Sequence, residues 1–310
     1  TVAAPYAAAD VAAISARWGL EFTPLIQVEP AQLEALRERA QRRTGTPAAD
    51  LQGLYAVRVP ENAAVDLLTL AHALESLPAV EYAHIAGSGW APPGDIDPQT
   101  DDYSGFQDWQ GPDPGVDTRY ALSRGVRGAS ISLADCEYDW NENHEDLIDV
   151  DLGREKKQTS PSKTEEYGWD QHGTAAVGAI VAGDNGYGAT GAAPDTLITT
   201  WPEESLQEGD RRVTAIAGAV ANALEGDVVM LEMQAIERPG GDYGPAELDP
   251  DVFEVVRTAT DAGVIIVAAA GNGAEDLDGS WYQDNWLDWG DSGAILVGAG
   301  DTSKRHVTLY

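Results

Sequence analysis

The spacing of apolar positions changes near residue 118 and divides the chain into two regions. In the first, short runs and helical stripes alternate. Phe22 to Val28 and Leu54 to Val59 read as strands. Leu33, Leu36 and Ala40 share one helical face behind Pro30, whose missing N–H costs nothing at a first helical position. Leu67, Leu70, Leu74 and Leu77 line a second helix stopped by Pro78, and Val80 to Ile85 predicts a closing strand. This order predicts a small ferredoxin-like α+β unit over residues 1–86. From 118 to 310 the apolar runs Ala129–Ala134, Leu197–Trp201, Val228–Met233, Val264–Ala270 and Ala294–Ala299 show little alternation, as parallel strands covered on both faces do. Thr214–Leu224 and Asp251–Ala262 between them have helical spacing. The prediction is an α/β fold with a doubly wound parallel sheet, its functional side chains at the strand C-termini. Residues 87–117, rich in Gly, Pro and Asp, predict an exposed, cleavable connector, in which Phe106 and Trp109 call for some packing.

Three segments carry chemistry. Asp135 directly follows the run Ala129–Ala134. His172, with Gly173, Thr174 and a series of small residues after it, opens a helix within Asp170–Gly183. The run Val264–Ala270 leads into Gly271-Asn272-Gly273. In this order the three blocks resemble the Asp, His and oxyanion-Asn blocks of the subtilisin-like serine proteases.

The resemblance implies a subtilisin-type sheet and peptide-bond hydrolysis of a polypeptide substrate. His172 would be the general base, Asp135 would fix its tautomer, and Asn272 would donate to the oxyanion. Asp139 and Asp146 compete with Asp135 for that role. Asp135 is preferred because it ends the apolar run and because His144-Glu145-Asp146-Leu147 resembles the family's downstream His-x-Asp-Leu element. Glu232, Met233 and Gln234 align with the strand that pairs with substrate, and Ala268, Ala269, Ala270 and Gly271 with a wall of the primary specificity pocket. Two departures stand out. Cys136 and Glu137 follow the Asp where most members have a small hydroxylated residue and Gly, and Glu232 to Gln234 replace Ser-Leu-Gly. Cys136 shares a strand with Asp135 but points to the opposite face, so it reads as packing. Asp184 and Asn185 lie where many relatives bind calcium, which makes them weak candidates for a structural Ca²⁺ site; the chemistry itself requires no cofactor.

The first 86 residues resemble the family's inhibitory prodomain, with Leu77-Pro78-Ala79-Val80-Glu81-Tyr82 matching the approach to its last strand. Such a unit is expected to bind at the cleft by that strand. No Gly-Thr-Ser-x-Ala block is present, and Asp301-Thr302-Ser303-Lys304 follows a strand matching an earlier family element. The expectation is therefore an incomplete catalytic domain whose Ser comes from a segment beyond Tyr310 or from a complementary C-terminal fragment. The alternatives are a pseudoprotease that only binds peptides, and an inhibitor-like chaperone in which residues 1–86 are the active part.

Composition narrows the partners. With 19 basic and 52 acidic residues the net charge is −33, which repels nucleic acid and anionic membranes. No apolar stretch approaches the roughly 18 residues of a membrane span. A single cysteine excludes an internal disulfide. A secreted or periplasmic location is expected from the family resemblance.

Overall fold

In a computed structural model, residues 5–60, 66–85, 100–141, 143–147, 168–205 and 209–300 are described. The N-terminal region holds helix α1 (Pro5–Trp18), strand β1 (Glu21–Pro24), helix α2 (Pro30–Thr44), strand β2 (Tyr55–Arg58) and helix α3 (Leu67–Glu75). A short helix α4 (Thr118–Ser123) precedes β3 (Ser132–Glu137), α5 (Trp169–Val181) and β4 (Leu197–Pro202). The two-residue strands β5 (Glu204–Ser205) and β6 (Gly209–Asp210) then lead into α6 (Arg212–Asn222) and β7 (Val228–Leu231). The strands β8 (Gln234–Ala235) and β9 (Gly244–Pro245) come before α7 (Pro250–Asp261), β10 (Ile265–Ala269), α8 (Ser280–Asn285) and β11 (Ile295–Val297).

The five apolar runs of the second region build one sheet in the order β11-β10-β7-β3-β4, with every pair parallel. Pleating sends alternate side chains to opposite faces. Ala134, Cys136, Val229, Leu231, Ile266 and Ala268 meet α6 and α7 on one face. Leu133, Ile198 and Met230 meet Val177 and Val181 of α5 on the other. The sheet is thus doubly wound, as the apolar runs predict. Strand order reverses between β3 and β7, and a doubly wound sheet opens a crevice at that point, outside the strand C-termini. α5 reaches only part of its face. Ile265 on β10 and Ile295 and Val297 on β11 point to the α5 side and remain 42%, 55% and 51% exposed.

The N-terminal region departs from the ferredoxin-like prediction. β1 and β2 form an antiparallel pair, and the described residues Val80–Ile85 add no strand to it. Leu20, Leu70 and Leu74 make a small core of their own with Trp18, Phe22 and Val57. α2 leaves that core: Leu33, Leu36 and Ala40 join the cluster under α6 and α7. Thr214 of α6 pins the preceding loop by donating to the Leu25 carbonyl and accepting from Gln27 N at 3.3 Å. In the segment expected to be a strand, alternation puts Tyr82 and His84 on one side, where they find acidic partners rather than a sheet edge. Tyr82 donates to Asp251 at 2.5 Å, and His84 Nε2 lies 3.1 Å from the same carboxylate. Docking therefore occurs against α6 and α7, not through a closing strand.

Residues 100–117 are largely exposed, as expected of a connector, but are tied to the second region by hydrogen bonds. Thr100 N donates to Glu145 at 3.1 Å, Tyr103 N to the Gly188 carbonyl at 2.7 Å, and Gln107 exchanges two bonds with Thr190. Residues 86–99 of the expected connector lie outside the described residues. Among the described residues no helix is long and apolar enough to cross a membrane.

Candidate active site

Strand β3 runs past its apolar stretch. It pairs with β4 through Glu137, which sits opposite Pro202, so two carboxylates are embedded in the strand where the apolar pattern ends at Ala134. Asp135 and Glu137 are two residues apart and share the α5 face; both are fully buried. His172 stands in the first turn of α5 above the end of β3. Thr174 Oγ1 accepts from Asn141 N at 2.7 Å and ties that turn to the loop after β3. Gly173 lets the two come together: a Cβ there would lie 2.3 Å from the Asp139 carbonyl and 2.7 Å from Glu137 Cγ.

The carboxylate against His172 Nδ1 is Glu137, not Asp135. The apolar pattern placed the strand end, and hence the orienting residue, two positions too early. Glu137 Oε1 accepts from Tyr138 N at 2.8 Å while Oε2 meets the imidazole. Asp135 Oδ2 instead accepts from Trp140 Nε1 at 2.7 Å, and its Oδ1 is buried with no partner. The competing carboxylates are engaged elsewhere: Asp139 accepts from Trp140 N at 2.9 Å and Asp146 from Ala189 N at 3.0 Å. His144 Nδ1 accepts from Asp146 N at 3.2 Å, a structural role.

Burial decides the protonation of these groups. It pushes Glu137 up to about 7 against the downward pull of its bond to His172. It also holds Asp135 well above the usual carboxylate range, reinforced by the neighbouring Glu137 charge. His172 is raised, first by the bond to Glu137 and then by Glu137, Glu232 and Asp135 as charges, while burial opposes. Glu232, one residue past β7, is raised by burial and lowered by His172.

The substrate-binding residues expected from the sequence separate into two groups. Met233 and Ala268 are 2% and 3% exposed within the α6–α7 cluster, since strand alternation turns them away from the His172 face. Both are removed as surface contacts. Glu232, half-buried, remains on the His172 side. Gln234 joins the two-stranded β8–β9 ribbon, and its Oε1 accepts from Asn272 N at 3.0 Å. Ala269, Ala270 and Gly271 are half-buried at the rim. Gly271 has φ +89°, and any Cβ would sit 2.6 Å from the Gly244 backbone, so only glycine lets this turn pass β9. Asn272 follows, exposed beside the crevice. In the expected calcium loop, Asp184 pairs with Arg127 at 3.1 Å and Asn185 accepts from Tyr187 N at 3.3 Å. Cys136 is buried in the α6–α7 cluster on the opposite face from His172, as the strand parity predicts.

These features define an α/β protein with a histidine–carboxylate pair near the switch point of a doubly wound sheet. The subtilase family (Peptidase S8) profile matches residues 126–308, more than half of the chain, and the protein belongs to that family. It is 26% identical over 152 residues to the major intracellular serine protease of Bacillus subtilis (strain 168), covering 48% of this chain and 45% of that protein. The chain thus spans less than half the length of this curated relative. Similar solved structures include the nisin leader peptidase of Lactococcus lactis, with TM-score 0.44 and 20% identity over 66% of this chain and 65% of that one. Another is the epidermin leader peptide processing serine protease of Staphylococcus aureus, with TM-score 0.46 and 17% identity over 68% and 55%.

Proposed function

We propose that this chain supplies the general base and oxyanion donor of a serine endopeptidase. The observation that carries the reading is the imidazole of His172, held by a buried carboxylate at the C-terminal edge of the sheet in a subtilase-family chain. His172 would take the proton of a serine hydroxyl through Nε2 and return it to the leaving amine, and Asn272 would donate its side-chain N–H to the tetrahedral oxyanion. The serine hydroxyl of this reading would stand within hydrogen-bond reach of His172 Nε2. The uncovered Ile265, Ile295 and Val297 on the α5 side of the sheet support a further covering element on that face, because grouped exposed apolar side chains call for one.

Residues 1–86 act as a prodomain in this reading. Their last described contacts, Tyr82 and His84, lie at the N-terminus of α7, and the chain resumes with Thr100 at Glu145. In a sheet of parallel βαβ units the helix N-termini and strand C-termini share one edge. Both anchors of the segment 86–99 therefore belong to the edge that carries His172, which supports self-processing within that segment.

The polypeptide substrate is bound along Glu232 and Ala269 to Gly271. A secreted or periplasmic location remains part of the proposal; the Bacillus subtilis relative is by name intracellular. The test is labelling of the complete protein with a fluorophosphonate probe alongside cleavage of a denatured protein substrate. Both should be lost in His172→Ala, and labelling that persists at the wild-type rate would end the assignment. A pseudoprotease is favoured by one feature, the bulky Glu232-Met233-Gln234 where relatives have Ser-Leu-Gly, and absence of any labelled serine in the wild type would select it.

A further inference from the structure

We propose that His84, Asp249 and Asp251 form a binding site for a divalent transition metal of the zinc type, which clasps the N-terminal region to the first turn of α7. The site shares no residue with the His172 crevice and stands whether or not the chain is a peptidase.

The three side chains converge: one ligand atom from each lies within 4.8 Å of the other two. His84 reaches Asp251 across a sequence separation of 167 residues, so the cluster exists only when the N-terminal region is docked. His84 Nε2 stands 3.1 Å from Asp251 Oδ2 and 3.6 Å from Asp249 Oδ1. The other ring nitrogen, Nδ1, is enclosed without a partner, so the imidazole addresses both carboxylates through Nε2 alone. A single Nε2–H can serve Asp251, but 3.6 Å to Asp249 is beyond hydrogen-bond length. Two ligands held about 2.0–2.1 Å from one tetrahedral zinc ion stand about 3.4 Å apart. The two observed distances bracket that spacing.

Charge points the same way. Asp249 is buried, and burial raises its carboxyl above the ordinary range. Among the described residues, the two carboxylates pair with no basic side chain other than His84, and Glu237 adds a further negative charge toward it. One imidazolium balances one carboxylate, whereas a divalent ion balances both. The positive end of α7 opposes a cation, but Asp249 Oδ1 accepts from Asp251 N at 2.8 Å and from Val252 N at 3.4 Å, which offsets that field. The ligands are also held in place. Tyr82 donates to Asp251 Oδ1 at 2.5 Å and leaves Oδ2 toward His84, the kind of supporting bond that orients a ligating carboxylate.

One imidazole and two carboxylates, with a fourth position for water, suit Zn²⁺, whereas Ca²⁺ takes about six to eight oxygens. A bound ion makes docking of the N-terminal region depend on metal supply, so chelation loosens that region with no change at His172. Protons compete with zinc for Nε2, and any pH response of a protonated His84 therefore belongs to the chelated chain.

The experiment is calorimetric titration of the EDTA-treated, dialysed 310-residue chain with zinc chloride, paired with ¹H–¹⁵N NMR of the histidine rings. One zinc per chain should bind and the His84 ring signals should shift. His84→Ala should weaken binding by at least about 100-fold, since loss of a residue that merely supports a ligand already costs about 10–100-fold. Asp251→Asn should weaken it likewise, and His172→Ala should leave it unchanged. Zinc should also raise the thermal midpoint and slow limited proteolysis of the N-terminal region in the wild type, and do neither in His84→Ala. Absence of zinc binding in the wild type, binding at full strength in His84→Ala, or equal affinity for calcium overturns the proposal. If a variant fails to fold, the wild-type NMR titration decides: shifts of the His84 ring support the site, and shifts confined to other histidines refute it.

Discussion

The two faces of the central sheet solve different problems. The α6–α7 face is sealed: Leu36, Ile216, Leu231, Val256 and Ile266 are all essentially inaccessible, and α2 from the N-terminal region completes that core. The α5 face buries Asp135 and Glu137 in the same strand that sends Ala134 and Cys136 to the sealed side, and it leaves Ile295 and Val297 open. Apolar burial stabilises the first face by roughly 25 cal/mol per Å². The second spends stability on desolvated carboxylates that make sense only around His172. One strand thus carries structure on its even-numbered side, at Ala134 and Cys136, and chemistry on its odd-numbered side, at Asp135 and Glu137, and the pleat keeps them apart.

The largest effect that would break this contrast is in the sealed core. Leu36→Ala should cost about 2–5 kcal/mol, read by chemical denaturation, whereas Ile295→Ala on the open face should fall within about 0.5 kcal/mol. Comparable losses at both positions would mean that the α5 face is covered in this chain after all. Next comes the crevice: Asn272→Ala in the complete enzyme should lower kcat by about 100- to 1,000-fold with KM nearly unchanged, because the donor acts on the transition state. A loss confined to KM would remove the oxyanion role.

Gly173→Ala probes the contact between the faces' chemistry and their packing. Its Cβ would press on the Asp139 carbonyl and on Glu137, so a destabilisation of about 1–3 kcal/mol is expected, with displacement of the His172 NMR signals. A variant as stable as wild type, with unmoved His172 signals, would show that α5 does not lean on the end of β3.

Two smaller effects depend on pH. Glu232 is among the charges that raise His172, and catalysis needs the neutral imidazole, so activity should rise with pH through a midpoint above about 6.5. Glu232→Gln removes a negative charge and should move that midpoint to lower pH by less than about one unit. A move to higher pH would contradict the placement of Glu232 on the His172 side. The docked N-terminal region has its own sensor. Burial opposes protonation of His84, but its bond to Asp251 and the charges of Asp249, Asp251 and Glu237 raise it overall. The sign follows: a raised folded pKa gives stability that is full below the unfolded value near 6.5 and is lost as pH rises through the folded value. The docked region should therefore become more susceptible to limited proteolysis above that range, and His84→Ala should flatten the dependence. Susceptibility that falls as pH rises would exclude His84 as the contact responsible.

Much of the catalytic region was legible in the sequence. All five parallel strands appear as apolar runs, and α6 and α7 as helical stripes, because burial on both faces leaves a dense signature. Errors arose where the signature stops short of the structure. The apolar run before Asp135 ends at Ala134, but hydrogen bonding to β4 continues to Glu137, so a rule about strand C-termini selected the wrong carboxylate. The signal that could have corrected it was Glu137 itself, a second acidic residue two positions on and therefore on the same face of the strand. In the N-terminal region, Val80 to Ile85 alternates as a strand should, yet pairing requires an open edge, and Tyr82 and His84 are drawn instead to Asp251.

The sequence alone determined the doubly wound sheet, the family, the helix opening at His172 and the turn at Asn272, because each depends on local periodicity or on residues close together in the chain. Tertiary structure decided which carboxylate meets Nδ1, which members of the substrate strand are buried, and where α2 docks. Those outcomes depend on which side of a pleat a residue faces, on room left by Gly173, and on partners such as Asp251 that lie more than 160 residues away. No local pattern encodes such distances.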